Sequence, residues 1–153
     1  MPTSPAGRGI VAITLDLDDT LWPVRPTLIA AEARLAQWLT ANAPATAAGF
    51  DARRRARLRE RLLERHPDRA HDMSFLRREG LRLALAQAGE DPGLADAGFE
   101  VFLAARQAVE PYGDVEAVLS RWARRYRLVA VSNGNADIGR IPCGRHFSAA
   151  ISA

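Results

Sequence analysis

The chain contains no lysine: all 21 of its basic residues are arginines. Coding bias toward GC-rich arginine codons accounts for this without a functional cause. It also leaves the chain without a side-chain ammonium group. The calculated pI is about 9.9, yet the net charge is only +3, too slight a balance to establish a nucleic-acid footprint. Cysteine occurs once, which excludes an internal disulfide and fits a reducing compartment. His66, His71 and His146 are scattered and Cys143 has no cysteine partner, so a zinc set is excluded. No apolar run approaches the length of a membrane-spanning helix. The opening MPTSPAGRG lacks the apolar core of a signal peptide and reads as a loose tail. These deficits point to a cytoplasmic protein with no membrane role. The remaining composition is ordinary for a globular chain: 153 residues, 48% hydrophobic and 25% charged, enough for one domain or for one small core plus an insert.

The organising stretch is Ile10 to Trp22, IVAITLDLDDTLW. Ile10, Val11, Ile13 and Leu15 form an uncharged run suited to a parallel strand buried on both faces. Asp16, Asp18, Asp19 and Thr20 follow within five residues. Carboxylates at i and i+2, where a strand opens into a loop, build an acidic pocket at the carboxyl end of a sheet, where open α/β sheets bind ligands. Such a cluster repels itself and calls for a cation. One carboxylate can attack phosphorus while holding Mg²⁺. The carboxylate two residues on can protonate the leaving oxygen and later activate water. Thr20 can fix the loop by bonding its backbone. An Asp-rich turn without chemistry is the bland alternative, and the apolar lead-in with the following Leu21-Trp22 argues against it.

DLDDTLW resembles the first motif, DxDxT, of the haloacid dehalogenase superfamily in its phosphatase form. That resemblance implies Asp16 as nucleophile and Asp18 as acid/base, with the Asp16 carboxylate and the Asp18 backbone carbonyl as Mg²⁺ ligands. The dehalogenases for which the superfamily is named lack the second Asp, so Asp18 argues for phosphate esters.

From Pro26 to about Ala108 the pattern is helical throughout. Leu28, Ala31, Leu35, Trp38 and Leu39 mark a first helix, closed by Asn42 to Ala45. A second is expected over Thr46 to Arg65, with Ala52, Ala56, Leu58, Leu62 and Leu63 inward and Arg53, Arg54, Arg57, Arg61 and Arg65 outward. Arg55 and Arg59 fall within its apolar arc; long arginines often edge such stripes, and an anionic substrate is the sharper reading. Asp72 or Ser74 caps a third helix, with Met73, Leu76, Leu83 and Ala84 inward and Gly89 beyond its end. Leu94, Ala97, Val101, Ala104, Ala105 and Ala108 are the expected inner face of a fourth. After the hinge Glu110 to Gly113, Asp114 caps a helix with Val115, Val118, Leu119 and Trp122 inward. Leu128 to Val131 reads as a second buried parallel strand, and Phe147 to Ile151 as a third. Trp38 and Trp122 read as core, while Trp22 either packs or shapes the substrate mouth.

The second strand ends in Ser132-Asn133-Gly134-Asn135. A phosphoryl group needs donors aimed at its equatorial oxygens. Ser132 can donate its hydroxyl, with the backbone N–H groups near Asn133 and Gly134 behind it. The same residues also make a good polar turn; the acidic motif at a neighbouring strand end makes the phosphate reading convincing. The SNG form resembles the superfamily's second motif, and the helical stretch resembles its cap domains. More narrowly, LVAVSNGNAD and the His71-Asp72 to Arg77 neighbourhood resemble bacterial phosphatases acting on FMN and on the ribityl-aminouracil phosphate of riboflavin synthesis.

The expected architecture is therefore a Rossmann-like parallel α/β core with an inserted all-helical cap: residues 1–25 as core, 26–110 as cap, 111–153 as core. The resemblance implies a Mg²⁺-dependent phosphatase acting on a small phosphorylated metabolite through an aspartyl-phosphate, with Thr20, Ser132, Asn133 and Gly134 at the phosphate. The superfamily also carries a third motif, a Lys or Arg, and a fourth, acidic motif, both after the third strand. Here no acidic residue follows Asp137, and Arg145 precedes that strand. The expectation is an N-terminal portion of a longer enzyme, poorly active alone and prone to aggregate. Two rivals stand beside it: a 2-haloacid dehalogenase, and a non-catalytic basic helical module binding nucleic acid through Arg53–Arg65.

Overall fold

A computed structural model describes residues 9–152; the loose-tail reading of the first residues falls outside them. The elements run β1 (Ala12–Leu15), α1 (Val24–Asn42), α2 (Pro44–Ala47), α3 (Ala52–Arg65), α4 (Met73–Gln87), α5 (Leu94–Arg106), α6 (Val115–Ala123), β2 (Arg127–Ser132) and β3 (Ala149–Ser152). The three strands are parallel in the order β1-β2-β3. That is the expected α/β fold, with a helical stretch between the first two strands.

Two separate hydrophobic clusters divide the chain. One joins Leu17, Leu21, Trp22, Val115, Leu119, Leu128, Ala130, Ile141 and Phe147 beneath the sheet. The other lies wholly among helices, with Ala31, Leu35 and Leu39 of α1 against Leu81 and Leu85 of α4 and Phe99 and Phe102 of α5. A bundle that buries its own apolar faces can hold its shape apart from the sheet. Gly98 lets α5 approach closely: a Cβ there would meet Leu81 Cδ2 and Trp38 Cζ3 at 2.9 Å.

Several local expectations are corrected. The first strand is not buried on both faces. Ile10 and Val11 are 73% and 75% exposed and precede β1, whose residues are exposed or half-buried. β1 is an outer strand, and α6 packs on one sheet face; on β2 Leu128 and Ala130 point into the core while Val131 is exposed. β3 begins at Ala149 because Phe147 turns into the core instead. The single helix expected over 46–65 is broken: Asp51 accepts the Arg54 N–H at 2.7 Å and starts α3 afresh. Within α3 Leu58 and Leu62 are buried, but Ala52 and Ala56 are exposed. α4 is capped by Asp72, not Ser74, and buries Leu81 and Leu85 in place of Leu83. α5 is turned by most of half a revolution from the expected face. Phe99 and Phe102 occupy the core, and Ala97 and Ala104 face solvent, because two aromatic rings outweigh a row of methyl groups in buried area. Asp114 stands at the start of α6 without a side-chain capping bond.

Candidate active site

The loop after β1 is wound tightly. Thr20 and Leu21 donate their N–H groups to the Leu17 carbonyl, and Asp19 adopts a left-handed conformation with φ of 58°. The expected loop-fixing role of Thr20 belongs to its neighbour: Asp19 Oδ1 accepts the Val24 N–H at 2.9 Å, while Thr20 is exposed. Trp22 does not shape a mouth. It is fully buried, and its indole N–H donates to Asp18 Oδ1 at 2.9 Å.

Strand pairing brings the two motifs together. Leu15 pairs with Ala130, so the chain after β1 emerges beside the end of β2. Asp16, Ser132 and Asn133 line one open cleft of about 410 Å³ with Val131, Ile151 and Ser152. Asp18 lies against the second motif as well. A Cβ on Gly134 would stand 2.6 Å from Asp18 Oδ2 and 3.4 Å from Ser132 Oγ, so glycine makes room for the carboxylate. The Gly134 N–H is not available to a ligand in the expected way, since it donates to Ser132 Oγ at 3.1 Å. Ser132 keeps its hydroxyl proton to give.

A second cleft of about 370 Å³ opens beside the first. His71, Asp72, Met73 and Ser74 at the start of α4, with Leu103, face Gly134 to Ile138. Asp72 is held by the Phe75 N–H at 2.8 Å and by Arg69 at 2.7 Å; these bonds keep its carboxyl below the ordinary carboxylate range.

Two residues escape a reading of the sequence by motifs. Arg106, the last residue of α5, is 1% exposed and donates from Nη2 to both Asp18 oxygens, at 2.7 and 2.6 Å. Gln107 follows it, also buried; its Nε2 donates to the Asn135 carbonyl at 3.1 Å and its Oε1 accepts the Asp137 N–H at 2.8 Å. The signal was present: Phe99, Phe102 and Arg106 fall at i, i+3 and i+7, which puts an arginine on a buried helix face. Arg55 and Arg59 lie elsewhere. They line a cavity of about 150 Å³ inside the helical bundle, where Arg55 donates to the Phe50 carbonyl and pairs with Glu32. Arg145 is paired with Glu116 beside α6.

The donors that converge near the strand ends are oxygens, which suit a hard cation. Mg²⁺ commonly takes one or two carboxylates and completes its shell with water and substrate phosphate. Asp16 is exposed, so its carboxylate fits that use. The Asp18 carboxylate is engaged by Arg106 and Trp22, which leaves its backbone carbonyl as the fitting donor. Among the described residues, no group of three or more His, Cys, Asp or Glu side chains gathers into a cage.

An acidic strand-end loop beside a Ser-Asn-Gly turn on the next parallel strand, with a helical insert between them, defines the class: a Rossmann-like parallel α/β fold with its candidate site at adjacent strand ends. No protein-family model matches the chain. It is 30% identical over 153 residues to 5-amino-6-(5-phospho-D-ribitylamino)uracil phosphatase YigB of Escherichia coli (strain K12), covering 97% of this chain and 63% of that one. It superposes on the crystal structure of a 2-haloacid dehalogenase from Pseudomonas syringae pv. Tomato DC3000 with a TM-score of 0.89 and 38% identity, over 94% of this chain and 64% of the other. The magnesium-bound HAD-hydrolase YfnB of Bacillus subtilis shares the fold at 10% identity and a TM-score of 0.58, over 94% and 65%. The chain thus spans a little under two thirds of the length of these proteins. Its fold is the Rossmann-type fold of the haloacid dehalogenase-like hydrolases. Among the described residues, no helix is long and apolar enough to cross a membrane.

Proposed function

We propose that the protein is a Mg²⁺-dependent phosphatase of small phosphorylated metabolites. The observation that carries this reading is the convergence of Asp16, Asp18 and Ser132 at adjacent parallel strand ends. Asp16, exposed in the cleft, attacks phosphorus; the bond to the leaving oxygen breaks, and a proton on Asp18 passes to that oxygen. Water then attacks the phosphorus of the aspartyl-phosphate and gives its proton back to Asp18, releasing phosphate and restoring Asp16. The Ser132 hydroxyl and the Asn133 backbone N–H donate to the equatorial oxygens. Gly134 keeps space for Asp18. The Asp16 carboxylate and the Asp18 backbone carbonyl would hold Mg²⁺, which when bound would supply neutralisation of the phosphate charge.

Residues 26–110 serve as a cap on a core built from 1–25 and 111–153. The self-contained helical core supports that division. The cleft between the start of α4 and residues 134–138 offers His71, Ser74 and Asn135 to the leaving group. A hydroxyl-rich leaving group fits such a lining. The Escherichia coli relative's name favours a ribitylamino-pyrimidine phosphate or a compound like it. The single unpaired Cys143 fits a cytoplasmic setting.

The name of the Pseudomonas structure favours a second reading, 2-haloacid dehalogenation. Asp18 weighs against it, since expelling halide needs no proton donor. The deciding experiment assays inorganic phosphate and halide release side by side, with and without Mg²⁺. Metal-dependent phosphate release that vanishes in a folded Asp16→Asn variant is expected. Halide release with no phosphate release would overturn the phosphatase reading.

A further inference from the structure

We propose that Arg106 is a positioning residue, holding the Asp18 carboxylate in place from the end of the helical insert. The inference rests on the phosphatase reading for its consequence in turnover, but not for its geometry. Burying a guanidinium is costly unless it is paired and hydrogen-bonded. Arg106 is buried with one carboxylate as its ionic partner, and its Nη1 is a buried donor without a hydrogen-bond partner. Packing alone would have been better served by an apolar side chain beside Phe102. The arginine is explained by what it grips.

The grip is specific. A single nitrogen, Nη2, bonds both Asp18 oxygens, and Trp22 bonds Oδ1 from the other side. Asp18 Oδ2 is thereby held against Gly134, whose missing Cβ would stand 2.6 Å from it. The next residue, Gln107, pins Asn135 and Asp137. The exit of the insert thus touches both strand-end loops at once, and the station of the proton donor depends on the docking of α5. Because one nitrogen makes both bonds, a lysine ammonium can reproduce the contact, whereas a neutral glutamine cannot supply its charge.

The test compares Arg106→Gln and Arg106→Lys in the intact protein. The first readout needs no turnover: the indole N–H resonance of Trp22, assigned with Trp22→Phe, with Trp38 and Trp122 as internal references. Arg106→Gln is expected to shift the Trp22 signal and speed its hydrogen exchange about tenfold or more, leaving the other two in place. Arg106→Lys is expected to stay near wild type. An unmoved Trp22 signal in the glutamine variant overturns the proposal. If that variant does not fold, a displaced Trp22 signal in a folded lysine variant overturns it equally.

The second readout is the dependence on leaving group. An alkyl phosphate needs a proton at the departing oxygen, while p-nitrophenolate leaves without one. Arg106→Gln is expected to lower kcat about 100-fold for an alkyl phosphate but tenfold at most for p-nitrophenyl phosphate. KM is expected to hold within about threefold. On an Asp18→Asn background the same substitution is expected to add little further loss. Equal losses on the two esters would overturn the role in turnover. A full-length wild-type protein inactive on both esters would sink the phosphatase reading, and the Trp22 spectrum would still decide whether Arg106 holds Asp18.

Discussion

Arg106 and Asp18 stand 88 residues apart in the chain and meet at 2.6 Å. The arginine is almost fully buried and the aspartate side chain is 18% exposed. Removing one member of a buried pair strands the other, at roughly 3–5 kcal/mol. Asp18→Ala is therefore expected to destabilise the fold by about 3 kcal/mol. Asp18→Asn, which keeps an acceptor for Nη2 and for the Trp22 indole, is expected to be milder. Urea denaturation of both variants beside wild type checks this; an Asp18→Ala variant as stable as wild type would show that the pair contributes nothing to folding.

Gly134 predicts a separation of activity from stability. Its added Cβ would stand 2.6 Å from Asp18 Oδ2. Gly134→Ala is expected to push the carboxylate aside and cut turnover about 100-fold. The strain in stability is expected near 1 kcal/mol, at the low end for overpacking, because the loop is only half-buried. Steady-state kinetics beside a thermal melt separates the two effects.

The α/β class, the strand-end motifs and the helical insert were legible because each is carried by contiguous residues: IVAITL before DLDD, and LVAV before SNGN. Helix faces were less so. In α5, a row of alanines and a pair of phenylalanines both recur at helical spacing, and only the space available in the bundle decides which is buried. Burial of β1 was misread because a run of aliphatic residues looks the same in an outer strand as in a central one. Arg106 and Gln107 were missed because their partners are distant in the chain, and no local pattern announces a contact across 88 residues. Trp22 was settled by the same means, through a bond that only the folded loop creates.

Asp72 should make stability depend on pH. The Phe75 N–H and Arg69 hold its carboxyl below the ordinary value. A depressed pKa in the folded state stabilises above the unfolded pKa and is lost as pH falls through the folded one. Asp72→Asn keeps the cap but not the charge, so wild type is expected to be more stable by about 0.5 kcal/mol at neutral pH. The difference is expected to shrink as pH falls below about 4, and with added salt. Paired melts across pH 2 to 7 (on the order of the carboxylate range) measure it.

Cys143 supplies a reporter of opening. It is buried beside Ile141 and Phe147, and burial pushes its thiol up from the ordinary value. Both effects suppress the thiolate that reacts. A disulfide reagent at about pH 8 is expected to label native protein only as fast as the sheet domain opens, and one full equivalent at once in denaturant. Immediate labelling of the native protein would place the thiol in reach of solvent.

The sheet has a practical consequence for all these measurements. β1 and β3 are its two outer strands, and Val131 and Ile151 lie exposed on neighbouring strands. Such margins can be lengthened by another extended segment without either molecule unfolding. Self-association of that kind is second order in protein, so it slows with dilution and not with cooling alone. Light scattering against concentration therefore belongs ahead of the first kinetic trace: it fixes the range in which a rate belongs to one molecule and not to two joined edge to edge.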